Sequence, residues 1–251
     1  MEEEKIIRNY EEARERYAGL GVDVDAALKA LHGISLSLHC WQTDDVAGFE
    51  CNGGALSGGI QVTGNFPGKA RNIDEVRADI EKVKTLVPGN HRLSLHAIYG
   101  DFNGEKVDRN EIEPRHFQSW IDWAKAIGMK LDFNSTSFSH PKSGNMTLAN
   151  RDKEIRDFWI EHTIRSRRIA DEIGRQLDDM VCHNLWIHDG SKDTSVDCYY
   201  YRYLLKESLD KIYAHKFGHV KDGMECKLFG TGLESFTVGS HEFYLGYALK
   251  N

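Results

Sequence analysis

The stretch GMECKLFGTG, residues 223–232, places a glutamate and a lysine two positions apart in a short apolar run. If the run is a β-strand, side chains alternate between its faces, so Glu225 and Lys227 point the same way. A solvated edge pair would explain this pattern, and so would an active site. In a (β/α)₈ barrel, catalytic side chains come from the carboxyl ends of several strands that meet at one mouth. The ends of the other strands therefore decide between these interpretations.

Strand-like and helical segments alternate along the chain. Strands are predicted at ISLSLHC (34–40), RLSLHAIY (92–99), KLDFNST (130–136), MVCHNLWIH (180–188) and MECKLFG (224–230). Helices are predicted at the amino terminus and at 73–87, 114–128, 150–177 and 196–216, and the chain ends in a helical stretch. This alternation predicts a parallel sheet with helical crossovers.

Polar or aromatic residues stand near the carboxyl end of every predicted strand. They are His39, Trp41, His96, Asn134, Asn184, Trp186, Glu225 and Lys227. An open doubly wound sheet concentrates its chemistry at one switch point, so the spread favours a barrel. Five strands are visible where a closed barrel needs eight. We therefore predict a single domain over 1–251 that forms an incomplete (β/α)₈ TIM barrel.

Composition describes an ordinary soluble protein and excludes several classes. The 251 residues carry a net charge of −7, with 28% charged and 40% hydrophobic residues. This mild acidity argues against a nucleic-acid or anionic-membrane surface, and no apolar run is long enough for a membrane helix. The five cysteines form no CxxC pair, which favours reduced thiols and a cytoplasmic location.

Two glycine-containing segments resemble nucleotide-binding motifs but fail their patterns. TGNFPGKA (63–70) has Thr63 and Ala70 where a P-loop needs glycine and Ser or Thr. GTGLES (230–235) has Ser235 in place of the third glycine of a dinucleotide fingerprint. The glycine-rich segment 41–72 is too long for an ordinary βα loop and is interpreted as a lid insert.

The residue types at the strand ends favour sugar and metal chemistry. An inward-facing charged pair is costly to desolvate unless another charge offsets it, and a divalent cation on Glu225 would do so. Hard oxygen ligands favour Mg²⁺ or Mn²⁺. Trp41 and Trp186 offer flat faces that suit the C–H faces of sugars, although rim packing would also explain them. His39 and His96 are equally open to catalytic and core interpretations.

Five blocks of sequence together resemble the L-rhamnose isomerase family. They are SLHCWQTDDVAGFE (37–50), GGALSGGIQVTGNFPGKARN (53–72), LSLHAIYGDF (93–102), NLWIHDGSKD (184–193) and MECKLFGTGLESFTVGSHEFYLGYA (224–248). The resemblance runs from about residue 4 to the end and covers rather more than half of a full-length subunit.

The resemblance implies a barrel of the xylose-isomerase-like type, a homotetramer, and interconversion of L-rhamnose and L-rhamnulose. It implies two divalent cations, typically Mn²⁺ but also Mg²⁺ or Co²⁺, that assist hydrogen transfer between C1 and C2. Glu225 would be a metal ligand, Lys227 would lie near the C1 oxygen, and Trp186 and His96 would contact the substrate. The hydride-shift and enediol routes stay open. The apolar pocket for the sugar methyl group would consist of Val46, Leu56, Ile60, Ile98 and Tyr99.

The family's other metal ligands would follow residue 251. We therefore expect this chain to be inactive alone unless another chain supplies the missing strands. The alternatives are an isomerase or epimerase of another sugar on the same scaffold, and a non-catalytic split-gene remnant that binds sugar or a partner subunit. The failed fingerprint disfavours a nicotinamide-dependent oxidoreductase.

Overall fold

The computed structural model describes residues 2–50, 67–227 and 236–250. Its main sheet has five parallel strands in the order β1-β2-β3-β4-β6. Their bounds are β1 Leu36–His39, β2 His91–His96, β3 Lys130–Asn134, β4 Val181–Ile187 and β6 Val220–Cys226. The spatial order of the five strands follows their order in the chain. The sheet therefore lacks the reversal of strand order that marks the ligand site of an open doubly wound sheet. The sheet is a curled half-barrel, which agrees with the predicted incomplete barrel; the xylose-isomerase-like type stays a prediction.

Eight α-helices lie in the described part of the chain. They are α1 Glu2–Ala18, α2 Val24–Leu31, α3 Trp41–Asp44, α4 Ile73–Leu86, α5 Gln118–Ala126, α6 Lys153–Leu177, α7 Cys198–Ala214 and α8 His241–Lys250. Side-chain caps explain where several begin: Asn72 accepts a hydrogen bond from the Glu75 N–H, and Asp197 accepts one from the Tyr200 N–H, both at 2.9 Å. No described helix is both long enough and apolar enough to cross a membrane.

The two faces of the sheet differ in polarity because strand side chains alternate. Most residues on the helix side are apolar, and Leu93, Leu95, Leu131, Phe133 and Leu185 lie in the buried core with side chains from the helices. The other face, called the inner face below, carries polar side chains. At its amino-terminal end Arg92 donates to both carboxylate oxygens of Asp132, at 2.9 and 2.8 Å.

The structure differs from the sequence predictions in several places, and β2 ends at His96, where a 3₁₀ turn over Ala97–Tyr99 replaces the rest of the predicted strand. The fifth strand of the sheet begins at Val220 rather than Met224, and residues 228–230 of the predicted strand lie outside the described residues. A 3₁₀ turn over Pro114–Phe117 precedes α5 where one continuous helix was predicted. A small antiparallel pair, β5 Gly190–Ser191 with β7 Phe236–Thr237, was not predicted.

Candidate active site at the carboxyl ends of the strands

An aromatic and imidazole cluster lies where β1 and β2 end. The ring centres of Trp41 and His96 are 4.3 Å apart, and His39 lies 5.3 Å from Trp41 and 5.8 Å from His96. The strands produce this grouping: β1 and β2 run parallel in register, and His39 and His96 are their last residues. The structure thus brings these three residues from the strand ends together.

Phe138 extends the cluster to the neighbouring strands. Its ring makes edge contacts with Trp41 at 5.9 Å and with Trp186 at 5.7 Å. Trp186 in turn lies 5.8 Å from His188. Rings from the ends of β1, β2 and β4 and from the segment after β3 therefore form one continuous aromatic wall. His96 and Phe138 are buried in it, whereas Trp41 and Trp186 are partly exposed and offer flat faces for the C–H faces of a sugar.

His96 is a neutral, buried imidazole at the centre of this wall. Burial, with a smaller contribution from the neighbouring His39, holds the pKa of His96 well below its ordinary value. Its Nδ1 lies 3.4 Å from the Thr136 hydroxyl. Among the described residues, no hydrogen-bond partner reaches His96 Nε2 or Trp41 Nε1. Two buried nitrogens that need partners in one cluster fit a site for a polar ligand.

Glu225 lies on the inner face of the sheet beside Trp186. The two residues are register partners in β6 and β4, and Glu225 Oε2 accepts a 2.6 Å hydrogen bond from Asn184 Nδ2. Glu225 is exposed, whereas Lys227, the residue after the end of β6, is 3% exposed. The structure thus places Glu225 and Trp186 side by side at the expected end of the sheet.

The described residues supply a partial donor set for a divalent cation. Glu225 offers an accessible carboxylate of the hard-oxygen type that Mn²⁺ and Mg²⁺ accept. Within residues 2–50, 67–227 and 236–250, however, no three His, Cys, Asp or Glu side chains are grouped as metal ligands. These residues do not make a complete metal centre by themselves.

Three of the five residues predicted for a methyl pocket lie in the described chain. Val46 follows α3 in a left-handed conformation, with φ of 64°, and donates its N–H to the Trp41 carbonyl at 3.2 Å. Ile98 and Tyr99 follow β2 and are buried in the apolar core. Leu56 and Ile60 lie outside the described residues.

The chain around Val46 is tied closely to the segment after β2. The Tyr99 hydroxyl donates to the buried carboxylate of Asp44 at 2.6 Å, and the Phe49 N–H donates to the Ile98 carbonyl at 2.7 Å. A Cβ on Gly48 would lie 2.7 Å from Ile98 Cγ1, so only glycine fits this approach. The structure therefore brings the first part of the predicted insert against two of the predicted pocket residues.

A second arrangement has the appearance of a hydrolytic triad but is part of the core. Ser135 Oγ lies 3.0 Å from His183 Nε2, and His183 Nδ1 lies 3.4 Å from Asp222. Arg167 donates to both oxygens of Asp222 at 2.8 Å, so the carboxylate is committed to the guanidinium. His183 lies on the helix side of the sheet and is fully buried, as is Ser135. These groups join sheet to helix and do not form a nucleophile that a substrate could reach.

Sequence reasoning missed Phe138, Thr136 and Arg109. Phe138 contacts tryptophans from other strand ends, and the buried Arg109 donates to the Thr136 carbonyl at 2.9 Å, so their roles depend on long-range contacts. The one local signal is the polar run NSTSFSH (134–140) directly after β3, because polar residues after a buried strand often line a site.

The fold and these side chains define a parallel α/β half-barrel with an aromatic and carboxylate site at its strand ends. The family model described as L-rhamnose isomerase (RhaA) matches residues 4–251. The chain therefore belongs to the L-rhamnose isomerase family, which confirms the resemblance seen in the sequence.

Individual relatives agree with the family match. The chain is 61% identical over 245 residues to an L-rhamnose isomerase of Bacteroides thetaiotaomicron, covering 98% of this chain and 59% of the relative. It is 51% identical over 251 residues to one of Listeria monocytogenes serotype 4a, covering 99% and 60%. It is 52% identical over 247 residues to one of Mannheimia succiniciproducens, covering 98% and 59%. The chain thus spans about 59% of the length of these curated relatives.

Proposed function

We propose that this chain forms the sugar-binding wall and part of the catalytic centre of an L-rhamnose isomerase, which interconverts L-rhamnose and L-rhamnulose. The observation that carries the proposal is the grouping of Trp41, His96, Trp186 and Glu225 at one end of the sheet, in a chain that the family matches over residues 4–251. Sugars need flat apolar surfaces for their C–H faces and polar groups for their hydroxyls, and this grouping offers both.

Each side chain receives a role from its surroundings. The faces of Trp186 and Trp41 would pack against the sugar ring. His96, neutral at pH 7 and with no described partner at Nε2, would form a hydrogen bond with a sugar oxygen. Lys227 would place its ammonium group near the C1 oxygen, where it would stabilise negative charge that develops during hydrogen transfer.

Glu225 would contribute one ligand to a divalent cation, Mn²⁺ or alternatively Mg²⁺ or Co²⁺. Such an ion, when bound, polarises sugar oxygens as a Lewis acid. The hydrogen bond from Asn184 would hold the Glu225 carboxylate in place, since outer partners of this kind orient metal ligands. Because no three His, Cys, Asp or Glu side chains are grouped as metal ligands among the described residues, a complete ligand set would include residues from outside them.

Selectivity for a 6-deoxy sugar would come from apolar contact with its methyl group. Val46, Ile98 and Tyr99, with Leu56 and Ile60, are proposed to line this pocket. One methyl group in an apolar pocket is worth about 1–3 kcal/mol, so we expect other aldoses to react with lower efficiency rather than to be excluded. Homotetrameric assembly and a cytoplasmic location are also proposed; the four described cysteines are free thiols, as the location requires.

The test is fragment complementation. The 251-residue chain is co-expressed with the part of the Bacteroides relative that lies outside the matched region, and Mn²⁺-dependent formation of L-rhamnulose is measured. We expect turnover from the pair, and none from either polypeptide alone. Lys227→Met and Glu225→Gln in the chain should each abolish turnover while the two polypeptides still co-purify.

Two outcomes would refute the proposal. One is a co-purifying wild-type pair that leaves L-rhamnose unchanged. The other is a pair that keeps full turnover after either substitution. Exposed Glu105, replaced by Gln, is the matched control for the carboxylate change and should leave turnover unaltered.

A further inference from the structure

Thr136 connects the candidate site to the framework behind it. It lies two residues beyond the end of β3, and its side chain is fully buried. Its N–H donates to His162 Nε2 at 3.1 Å, and its carbonyl accepts from Arg109 Nη1 at 2.9 Å. Its hydroxyl lies 3.4 Å from Nδ1 of His96. All of its polar groups thus meet a partner, and one partner is the imidazole at the centre of the aromatic wall.

His162 can support Thr136 in only one protonation state. Its Nδ1 lies 2.9 Å from the Arg109 carbonyl, which only accepts, while its Nε2 accepts from the Thr136 N–H. Nδ1 must therefore carry the proton and Nε2 must be bare. Burial lowers the pKa of His162 to about 3, so the ring is neutral at physiological pH and this arrangement is permanent.

Arg109 binds backbone carbonyl groups of the segment from Thr136 to Ser139. Besides Thr136, its guanidinium donates to the carbonyls of Phe138 and, at 3.3 Å, Ser139. The backbone from Thr136 to Ser139 is therefore fixed by a fully buried arginine. Because the backbone is fixed, the threonine hydroxyl stays beside His96 and the Phe138 ring stays between the two tryptophans.

We propose that Thr136 is a positioning residue that donates its hydroxyl proton to Nδ1 of His96 and thereby keeps the proton of that imidazole on Nε2. A neutral imidazole carries one proton, and the partner of one nitrogen decides which nitrogen holds it. With Nδ1 as acceptor, Nε2–H becomes a donor, and together with Trp41 Nε1–H it presents two donors to ligand oxygens. The 3.4 Å separation is long, as catalytic hydrogen bonds often are before a substrate binds.

The tautomer assigned to His96 does not depend on the proposed isomerase function. The further idea that His96 Nε2–H donates to a sugar oxygen rests on that proposed function. The test is a long-range ¹H–¹⁵N spectrum of the 251-residue chain labelled at histidine, with His96 assigned by the signals that His96→Gln removes. We expect a bare Nδ1 and a protonated Nε2. Thr136→Val, which keeps the shape and removes the hydroxyl, should shift the signals to a mixture of both tautomers. Thr136→Ser should restore the wild-type pattern.

Thr163→Val is the matched control. Thr163 is also buried, and its hydroxyl donates to the Trp159 carbonyl at 2.9 Å within α6, so its loss should leave the His96 signals unchanged. A protonated Nδ1 in the wild-type chain would overturn the proposal, and this result does not depend on whether Thr136→Val folds. An unchanged pattern in Thr136→Val would overturn it as well. If the chain shows the predicted His96 signals but fails the complementation assay, the isomerase function is rejected and the positioning role of Thr136 is retained.

Discussion

Replacing Arg109 with Met should destabilise the chain more than replacing any exposed arginine. The Arg109 side chain is 2% exposed and its partner Glu50 is 10% exposed. Arg109 donates to the two Glu50 oxygens at 3.0 and 2.5 Å and to three backbone carbonyls. The substitution leaves a buried carboxylate without its cation, and breaking one partner of a buried pair costs about 3–5 kcal/mol. At about 2–4 °C per kcal/mol for a chain of this size, the melting temperature should fall by roughly 6–20 °C.

The assay is urea-induced unfolding followed by far-ultraviolet circular dichroism, with thermal melts in parallel. The control is Arg115→Met, because Arg115 and its partner Glu105 are 58% and 48% exposed and such pairs contribute about 0–1 kcal/mol. A loss for Arg109→Met that is no larger than the loss for Arg115→Met would refute the reasoning. It would mean that the carbonyls of the segment after β3 do not depend on this guanidinium.

Two further predictions concern pH and backbone geometry. The unfolded chain protonates His162 near pH 6.5 while the folded chain resists protonation down to about pH 3, so stability is complete above pH 6.5 and falls below it. Urea titrations should show that the wild type loses about 2 kcal/mol more than His162→Gln between pH 7 and pH 5, and equal losses would contradict this. Gly48→Ala should cost about 1–3 kcal/mol more than Gly21→Ala in thermal melts, because both have positive φ but only at Gly48 would a Cβ meet Ile98. Equal costs would show that the contact with Ile98 relaxes freely.

Much of the sheet could be predicted because its strands are short apolar runs bounded by polar residues. β2, β3 and β4 lie within one or two residues of their predicted starts, and parallel pairing then brings His96 and Trp186 to one end of the sheet. The start of β6 was missed because HVKDGM (219–224) is polar and lacks a clear alternation. Asp222 is compatible with a strand there because Arg167, 55 residues earlier, binds it.

The residues that hold the site in place could not be predicted from the sequence, because they too depend on partners far away in the chain. His96 and Glu225 could be named as candidates because a polar residue at a strand end is a local pattern. Thr136 and Arg109 carry no such pattern: their roles depend on partners 26 to 59 residues away, which only the folded chain brings together. Local sequence thus indicated the candidate site residues at the strand ends, and tertiary packing determined which residues hold them in place.

The central claim is that L-rhamnose binds against Trp186 at the carboxyl ends of the strands. Saturation-transfer difference NMR tests it directly, since it detects weak binding and needs no turnover. L-Rhamnose mixed with the chain should receive saturation from the aromatic protons, and Trp186→Leu should abolish this transfer. Trp123→Leu, on α5, should leave it unchanged. Equal transfer to L-rhamnose in the wild type and in Trp186→Leu would contradict the account.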